Sequence, residues 1–402
     1  MFAHIKALKS FFAPERKSAA VLDALLGVGT PTASGVAVSA ETAMRCPAVF
    51  GAVRVLAETM ASLPIHVYRR LPDGGRERAA DHPLEAILAD AANPWTPASE
   101  FRMVMATAHA LHGNAYAFAN RDSDGRVVEL IPLDARSVSV EPDRVTMEPH
   151  YSVTAADGTR REYDRRDILH IRGIGASIYK GDAPVVLGRE AIGLALTLEQ
   201  HGAGLFGRGA RPSGVVKYPK ALTDDLLARL RKSFEGFYAG GSNAGRVAIL
   251  EDGVTFEAHQ LSSVDAQFLE MRKFQLQEIA RIWRVPLHLL GDLERTTHSN
   301  AEEMGAQFLS YCLLPILKLW QDAIRITCLT PEERREYYVE FLVDDLARAD
   351  LAARFTAYSQ AINAGILNPN ECRAMENRGP YDGGEVFTRP VNTAAVKEGA
   401  AE

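Results

Sequence analysis

Two long helical patterns with a short insert between them restrict the possible folds of this 402-residue chain more than any other stretch. The first occupies residues 186–209, after a capping Asp182 and a helix-starting Pro184, and predicts a rod of about 35–40 Å. The second occupies residues 263–285 and is stopped by Pro286. Its apolar stripe consists of Leu269, Leu276, Ile279, Ala280 and Trp283. Residues 210–262 predict a compact β-α-β-β unit, which two such rods would hold far from the domain at their base.

Residues 40–185 predict one α+β domain. Apolar residues at positions 49, 53, 56 and 60 form a helical stripe, and a second helix is expected to start with Thr96 as N-cap and to stop at Gly113. Short strands separated by Asp-Gly turns then continue to Ile171, which is typical of an antiparallel meander. Residues 1–39 end in a run of small residues and are interpreted as a flexible N-terminal arm.

After the second rod, residues 286–300 lack periodicity and predict a loop. Residues 301–344 predict a long helix, kinked at Pro315, and a return strand. Residues 345–380 are helical again, with Asn368 and Glu371 in the positions of a capping box. Residues 381–402 form a loose tail rich in small and polar residues.

Composition excludes several classes of protein. With 47% hydrophobic and 24% charged residues the chain is an ordinary globular protein. Its net charge, 45 − 51 = −6, is not that of a protein that grips nucleic acid over its whole surface. Its four cysteines contain no CxxC pair and predict reduced thiols, and no apolar run is long enough for a membrane span. Lysines within the first ten residues argue against a signal peptide.

Two motifs match cofactor or metal patterns only in part. Gly202-x-Gly204-x-x-Gly207 has the spacing of a dinucleotide fingerprint, but it follows a predicted helix instead of a strand. We interpret these glycines as small residues that let the helix pack closely against a neighbouring helix. His109 and His112 lie three apart on a helix without further ligands of a metal site. We therefore expect neither a cofactor nor a metal.

Ser177 and Lys180 match the Ser-x-x-Lys pattern of acyl transferases. The accompanying Ser-Asp-Asn and Lys-Thr-Gly motifs are missing, and the pair lies in a predicted loop. An oligomeric hydrolase or acyltransferase that uses Ser177 and Lys180 remains one possible interpretation of the chain.

Eleven segments, in this order, resemble the portal proteins of tailed phages, the HK97-like portal family. They extend over most of the chain and are Cys46–Ala57, Leu63–Arg69, Asp81–Leu84, Asn93–Thr96, Leu111–Tyr116, Asp167–His170, Gly209–Gly214, Val264–Phe268, Glu278–Arg281, Val285–Pro286 and Leu290–Gly291. The resemblance implies an α+β portal-type protomer without enzymatic activity, carried by a phage, a prophage or a gene-transfer particle. In its terms residues 40–185 are the wing, 186–209 and 263–285 the stem helices, 210–262 the clip, 286–300 the tunnel loop and 345–380 the crown.

The same resemblance implies a dodecameric ring at one capsid vertex of the virion, assembled in the host cytoplasm. Its expected partners are further copies of the chain, the large terminase, a head-completion or adaptor protein, the major capsid protein and double-stranded DNA that passes through without sequence-specific binding. The resemblance implies no membrane partner. A ring scaffold unrelated to viruses remains an alternative to a portal.

Three groups of residues are candidates for these contacts. Tunnel-loop residues that would guide DNA are Arg295, Thr296, Thr297 and His298. Clip residues that would meet terminase or adaptor are Ser242, Asn243 and Arg246. Stem residues that would contact a neighbouring subunit are Glu270, Arg272, Lys273, Glu278 and Arg281.

Overall fold

Helices alternate with short antiparallel strands along the chain. The computed structural model describes residues 30–72, 75–207, 214–217, 228, 255–258, 263–293, 298–343, 351–376 and 378–388. Several predicted features lie outside these residues: most of the N-terminal arm, most of the insert between the rods, and the end of the tail.

The helices are α1 (Ala40–Ala43), α2 (Pro47–Ser62), α3 (Pro83–Ala89), α4 (Ala98–His112), α5 (Pro184–Leu187), α6 (Arg189–Gly207), α7 (Ser263–Trp283), α8 (His298–Gln307), α9 (Leu314–Cys328), α10 (Glu333–Glu336), α11 (Leu351–Asn363) and α12 (Pro369–Met375). The strands are β1 (Thr30–Pro31), β2 (Ala37–Val38), β3 (Ile65–Arg70), β4 (Arg76–Arg78), β5 (Ala91–Asn93), β6 (Thr96–Pro97), β7 (Asn114–Arg121), β8 (Val127–Leu133), β9 (Val138–Pro142), β10 (Pro149–Thr154), β11 (Arg160–Tyr163), β12 (Ile168–Arg172), β13 (Gly214–Lys217), β14 (Thr255–Ala258) and β15 (Tyr337–Phe341). Two compact units divide the chain: Met1–Ala52 with Ala183–Ile282, and Val53–Asp182 with Trp283–Glu402.

Helices α6 and α7 of the first unit lie side by side and antiparallel. Gly188, just before α6, lies against Ile282, and Gly202 lies against Phe268. Between these two contacts α6 advances by 14 residues while α7 runs back by 14 residues, which shows that the two helices are antiparallel. The predicted cap at Asp182 is wrong. Ala183 takes the cap position without a side-chain hydrogen bond, because the residue before a helix-starting proline must be extended.

A hairpin of β1 and β2 packs on α6 at Gly193. A methyl group at Gly193 would fall 2.6 Å from Oγ1 of Thr32, so the missing side chain is what admits the hairpin. The backbone N–H of Ala33 also donates to Oε2 of Glu190 at 2.9 Å. In the insert, β13 and β14 pair antiparallel, with Gly214 opposite Ala258.

Three antiparallel sheets form the frame of the second unit, in the strand orders β15-β3-β4, β12-β7-β8 and β11-β10-β9. The predicted single meander is wrong, because the chain leaves one sheet after β8 and returns to it at β12, where Ile168 lies opposite Phe118. Apolar alternation marks a strand without specifying its partner. The exposed, charged β11 has no such alternation and was not predicted. Four residues form a buried cluster of these sheets: Tyr116, Val138, Tyr151 and Ile168.

The start of α4 also differs from prediction. Thr96 pairs with Asn93 in the β5–β6 hairpin, which leaves Pro97 as an N-cap without a side-chain hydrogen bond. The hairpin ladder holds Thr96 extended, so its hydroxyl does not cap the helix. The predicted stop at Gly113 is confirmed by its left-handed φ of 66°.

A buried carboxylate joins α3 to the first of these sheets. Glu85 accepts hydrogen bonds from the Val67 N–H at 2.7 Å, from Nε of Arg78 at 2.8 Å and from Nδ1 of His66 at 2.7 Å. Burial acts to raise the pKa of Glu85, but these hydrogen bonds outweigh it and hold the pKa below its usual range.

The predicted kink at Pro315 takes the form of a π-helical turn, Phe308–Leu313, between α8 and α9. Proline has no N–H to donate to the carbonyl four residues earlier, and its ring would clash with that carbonyl, so a wider turn precedes it. Further on, the predicted capping box of α12 is confirmed. Asn368 Oδ1 accepts from the Glu371 N–H at 2.9 Å, and Glu371 accepts from the Asn368 N–H at 2.8 Å.

Candidate functional site

The predicted stem residues lie on α7. All six residues from Leu269 to Phe274 are exposed, although the apolar Leu269 (62%) and Phe274 (51%) are among them. Leu269 was expected in the buried stripe and is not part of it, whereas Ile279, Ala280 and Trp283 are buried. More than one full turn of α7 is therefore uncovered in a single copy, which is unusual for apolar side chains of this size.

The charges of this surface are partly engaged within α7 itself. Arg281 forms an ion pair with Glu278 one turn away and stands over the ring of Phe274, 6.0 Å from its centroid. Glu270 and Arg272 are exposed on the uncovered turn. Lys273 shares that turn.

The predicted tunnel loop is anchored firmly where it begins. Nε1 of Trp283 donates to the Ala110 carbonyl at 2.8 Å, and Sγ of Cys312 donates to the Trp283 carbonyl at 3.2 Å. Arg284 then takes a left-handed φ of 55°, which turns the chain out of α7. Of the four candidates, Arg295, Thr296 and Thr297 lie outside the described residues. His298 is the first residue of α8, so the loop is shorter than predicted.

The clip candidates Ser242, Asn243 and Arg246 lie outside the part of the chain that the structure describes. The described part of the clip is limited to the β13–β14 pair and one isolated residue.

A second constellation, which the sequence did not predict, surrounds Asn114 at the start of β7. Its Nδ2 donates to the carbonyls of Gly181 (2.8 Å) and His112 (2.9 Å). Its Oδ1 accepts from the Gly181 N–H at 2.8 Å and from Nε2 of His170 at 3.1 Å. These four bonds use the full capacity of the amide. The side chain, 2% exposed, thus clasps the loop of residues 173–182 to the sheet, and we call it the Asn114 clasp.

The loop held by the clasp is closed by its own backbone as well, because the Asp182 N–H donates to the Ile174 carbonyl at 2.8 Å. A methyl group at Gly181 would overlap the Gly113 carbonyl, so only glycine permits this approach. The motif Gly113-Asn114 directly after a helix is the sequence signal that marks the position, but it does not reveal the distant partner.

Neutral histidines complete this constellation. Burial lowers the pKa of His170 to about 3, and nearby positive charges add to the effect. Burial lowers the pKa of His109 to about 4. A neutral His170 that donates from Nε2 accepts at Nδ1 from the Tyr151 hydroxyl, 3.2 Å away. Both ring nitrogens of His170 are therefore engaged in hydrogen bonds that hold the structure together.

The acyl-transfer pair occupies the same loop. Oγ of Ser177 accepts the Tyr179 N–H at 3.1 Å in a local turn, and Lys180 is three residues on without a helix to present either group. The glycine motif at 202–207 lies within α6, where Gly202 faces Phe268 and Gly204 faces open space. This arrangement does not form a dinucleotide cradle.

Two further findings concern the described residues alone. They contain no group of three or more acidic, cysteine or histidine residues placed to hold a metal ion. No helix among them has the length and apolar character that crossing a membrane demands.

Comparison with known sequences decides the family. A family model described as phage portal protein matches residues 47–377. The chain belongs to the phage portal protein family. The portal protein of Enterobacteria phage HK97 is 28% identical over 362 residues, which cover 89% of this chain and 84% of that protein. The probable portal protein of Streptomyces phage phiC31 is 31% identical over 397 residues, covering 93% and 84%. The predicted resemblance is confirmed.

Solved structures agree on the fold of this portal-family chain. A chain from the neck of an empty GTA particle, computed with C6 symmetry, aligns with a TM-score of 0.65 at 23% identity over 85% of this chain and 94% of its own length. A chain from the virion of a native gene transfer agent particle gives 0.65 at 22% identity over 90% and 99%. A neck chain of a native GTA particle, computed with C12 symmetry, gives 0.62 at 22% over 84% and 93%. The predicted α+β portal-type fold is confirmed.

Proposed function

We propose that twelve copies of this chain close into a ring at one vertex of a phage capsid or gene-transfer particle, and that double-stranded DNA is packaged and ejected through its centre. In this proposal the large terminase docks on the clip during filling, an adaptor protein replaces it, the major capsid protein surrounds the ring, and assembly takes place in the host cytoplasm. The observation that carries the proposal is membership of the portal family over residues 47–377. A fold shared with a particle neck of C12 symmetry adds support for the copy number.

The charge of the chain suits a channel through which DNA moves without binding tightly. Twelve copies carry 12 × (−6) = −72 charges. Each phosphate neutralised by Lys or Arg releases counterions and strengthens binding, which would slow translocation. A ring of net negative charge repels the duplex instead, so the fully assembled ring should bind linear DNA weakly at physiological salt.

Electron microscopy of the purified protein tests the ring directly, and rings with a central hole are expected. The uncovered turn of α7 offers a matched pair of variants. Leu269→Glu places a charge where we infer that a neighbouring copy packs. Leu187→Glu is the control, because it places the same charge on α5, outside that surface, at a comparable exposure: Leu187 is 65% exposed and Leu269 is 62% exposed. Both protomers should fold, and only Leu269→Glu should lose rings. Equal ring yields from the two variants would exclude this stem contact.

The tunnel-loop proposal is tested by changing Arg295, Thr296 and Thr297 together to Ala. We expect particles that assemble normally but package or retain less DNA. Normal packaging and retention would show that Arg295, Thr296 and Thr297 do not guide DNA, and His298→Ala tests the fourth candidate in the same way.

The clip proposal is tested by shortening the loop 240–246, which carries Ser242, Asn243 and Arg246. Rings should still form, because the stem is untouched, while binding of terminase or adaptor should fall. Unchanged binding would place the docking surface elsewhere.

We further propose that the chain performs no catalysis of its own. An acylating probe should leave Ser177 unlabelled, and Ser177→Ala should leave ring assembly unchanged. Labelling of Ser177 that depends on Lys180 would favour the acyltransferase alternative. Rings that never enter a particle would favour a scaffold unrelated to viruses.

A further inference from the structure

The side chain of Trp95 is exposed to solvent on a turn that is fixed by hydrogen bonds. It lies at the tip of the β5–β6 hairpin and is 68% exposed, while the other two tryptophans, Trp283 and Trp320, are buried. Asn93, itself buried, fixes the turn by donating from Nδ2 to the Leu130 carbonyl at 2.9 Å and accepting the Trp95 N–H at 3.2 Å. A large aromatic side chain on a fixed turn loses little entropy on binding, which is the character of an interface anchor.

A cavity of about 590 Å³ lies beside the sheet β12-β7-β8, at the edge opposite the Trp95 hairpin. In the strand order β12-β7-β8, the Trp95 hairpin is bonded to the outer strand β8, and the cavity is lined by the other outer strand, β12, with α9 and the loop held by the Asn114 clasp. Its lining is mostly apolar and aromatic: Tyr151, Ile168, Ile178, Leu319 and Ile326. Ile178 (72%) and Ile326 (51%) are exposed in a single copy. A cavity of this size accommodates an indole ring.

The charges around the Trp95 turn and around the cavity are also complementary. Asp90 and Glu100, both exposed, flank the Trp95 turn in sequence. Arg172 lines the cavity and is exposed. Asp322, also in the lining, is neutralised by Nζ of Lys318 at 2.8 Å. An exposed guanidinium in the lining can also stack on an indole face.

We propose that Trp95 of one copy inserts into this cavity of the next copy, so that the two surfaces form one repeated contact around a ring. The inference deepens the proposed function and rests on it. A ring is built from heterologous contacts, in which a protrusion on one flank meets a recess on the other. Trp95 and the cavity, at opposite edges of one sheet, satisfy that requirement without any change in the protomer.

Cysteine cross-linking tests the contact. In Trp95→Cys/Ile326→Cys, at a protein concentration raised about 30-fold to offset the lost indole, oxidation should join copies into a ladder that ends at the closed ring. Trp95→Cys/Ile366→Cys is the control, because Ile366 is 71% exposed but lies in the turn after α11, away from the cavity lining. The four natural cysteines are buried and should not contribute. Equal ladders from both pairs, or no ladder from rings of the first pair, would refute the contact.

Acrylamide quenching provides a second measurement on the unmodified protein. Since Trp95 is the exposed tryptophan of the three, quenching should fall on assembly by the share that Trp95→Phe removes from the free protomer. Trp95→Ala should weaken assembly about 30-fold or more while keeping the melting temperature, and Trp95→Phe should restore part of the loss.

The outcomes separate this inference from the proposed function. The contact is refuted if acrylamide still quenches Trp95 in wild-type rings, or if the cysteine at position 95 is cross-linked only to a capsid protein. Neither result contradicts the proposed ring. A wild-type protein that forms no rings under any condition refutes both.

Discussion

Removing the Asn114 side chain should loosen the loop of residues 173–182 and destabilise the second unit. In Asn114→Ala, both backbone groups of Gly181, the His112 carbonyl and Nε2 of His170 lose their partner at once. Each buried group left unpaired costs about 1–3 kcal/mol, and some regain water as the loop opens, so we expect a total of about 3–5 kcal/mol. For a unit of this size that lowers the melting temperature by about 10 °C.

Two variants separate hydrogen bonding from shape. Asn114→Asp keeps the shape and one acceptor but loses both donated bonds, and it faces two carbonyls with a carboxylate, so it should be at least as damaging as Ala. Asn120→Ala, on the same strand, removes a single bond at 3.2 Å to Glu129 and should cost less than about 1 kcal/mol. Hydrogen exchange at the Gly181 amide should accelerate only in the Asn114 variants. A melting temperature within 1 °C of wild type in Asn114→Ala, with exchange unchanged, would refute the reasoning.

Three other outcomes are expected from the structure. The stabilisation from ionised Glu85 is present above pH 4.5 and is lost as pH falls through its depressed pKa, so Glu85→Gln should flatten the acid limb of a denaturation series. His109 and His170, whose pKa values are about 4 and about 3, bind fewer protons than in the unfolded chain, so stability should fall below pH 6.5, by about 2 kcal/mol each at pH 5. Changing both to Gln should reduce the slope of stability against pH by that amount in urea titrations, while His82, His112 and His288, whose pKa values burial also lowers, keep the remainder. In melting experiments Gly204→Ala, which meets nothing within 4 Å, should stabilise α6 by up to about 1 kcal/mol, whereas Gly193→Ala should destabilise the unit by displacing the β1–β2 hairpin.

Local signals predicted the helices well. The rods, the stop at Gly113, the capping box at Asn368 and the disturbance at Pro315 depend on neighbours within a few residues, and each is found close to its predicted position. The errors at Asp182 and Thr96 have the same origin. Whether a residue caps a helix depends on its backbone conformation. Next to Asp182 that conformation is determined by Pro184, which holds Ala183 extended in the cap position, and at Thr96 by the β5–β6 hairpin.

Contacts between distant segments followed no local rule. The return of β12 to β7 pairs Ile168 with Phe118, 50 positions away, and the Asn114 clasp joins residues 67 positions apart. The exposure of Leu269 likewise depends on which distant segments pack against α7. The same limit applied to the indole of Trp95, because neither its hairpin nor its place opposite a cavity was predicted. The family and the positions of the helices could therefore be predicted from the sequence, because both depend on short segments of the chain. Strand partners, buried polar bonds and uncovered surfaces emerged only on folding, because three-dimensional packing alone brings those groups together or leaves them bare.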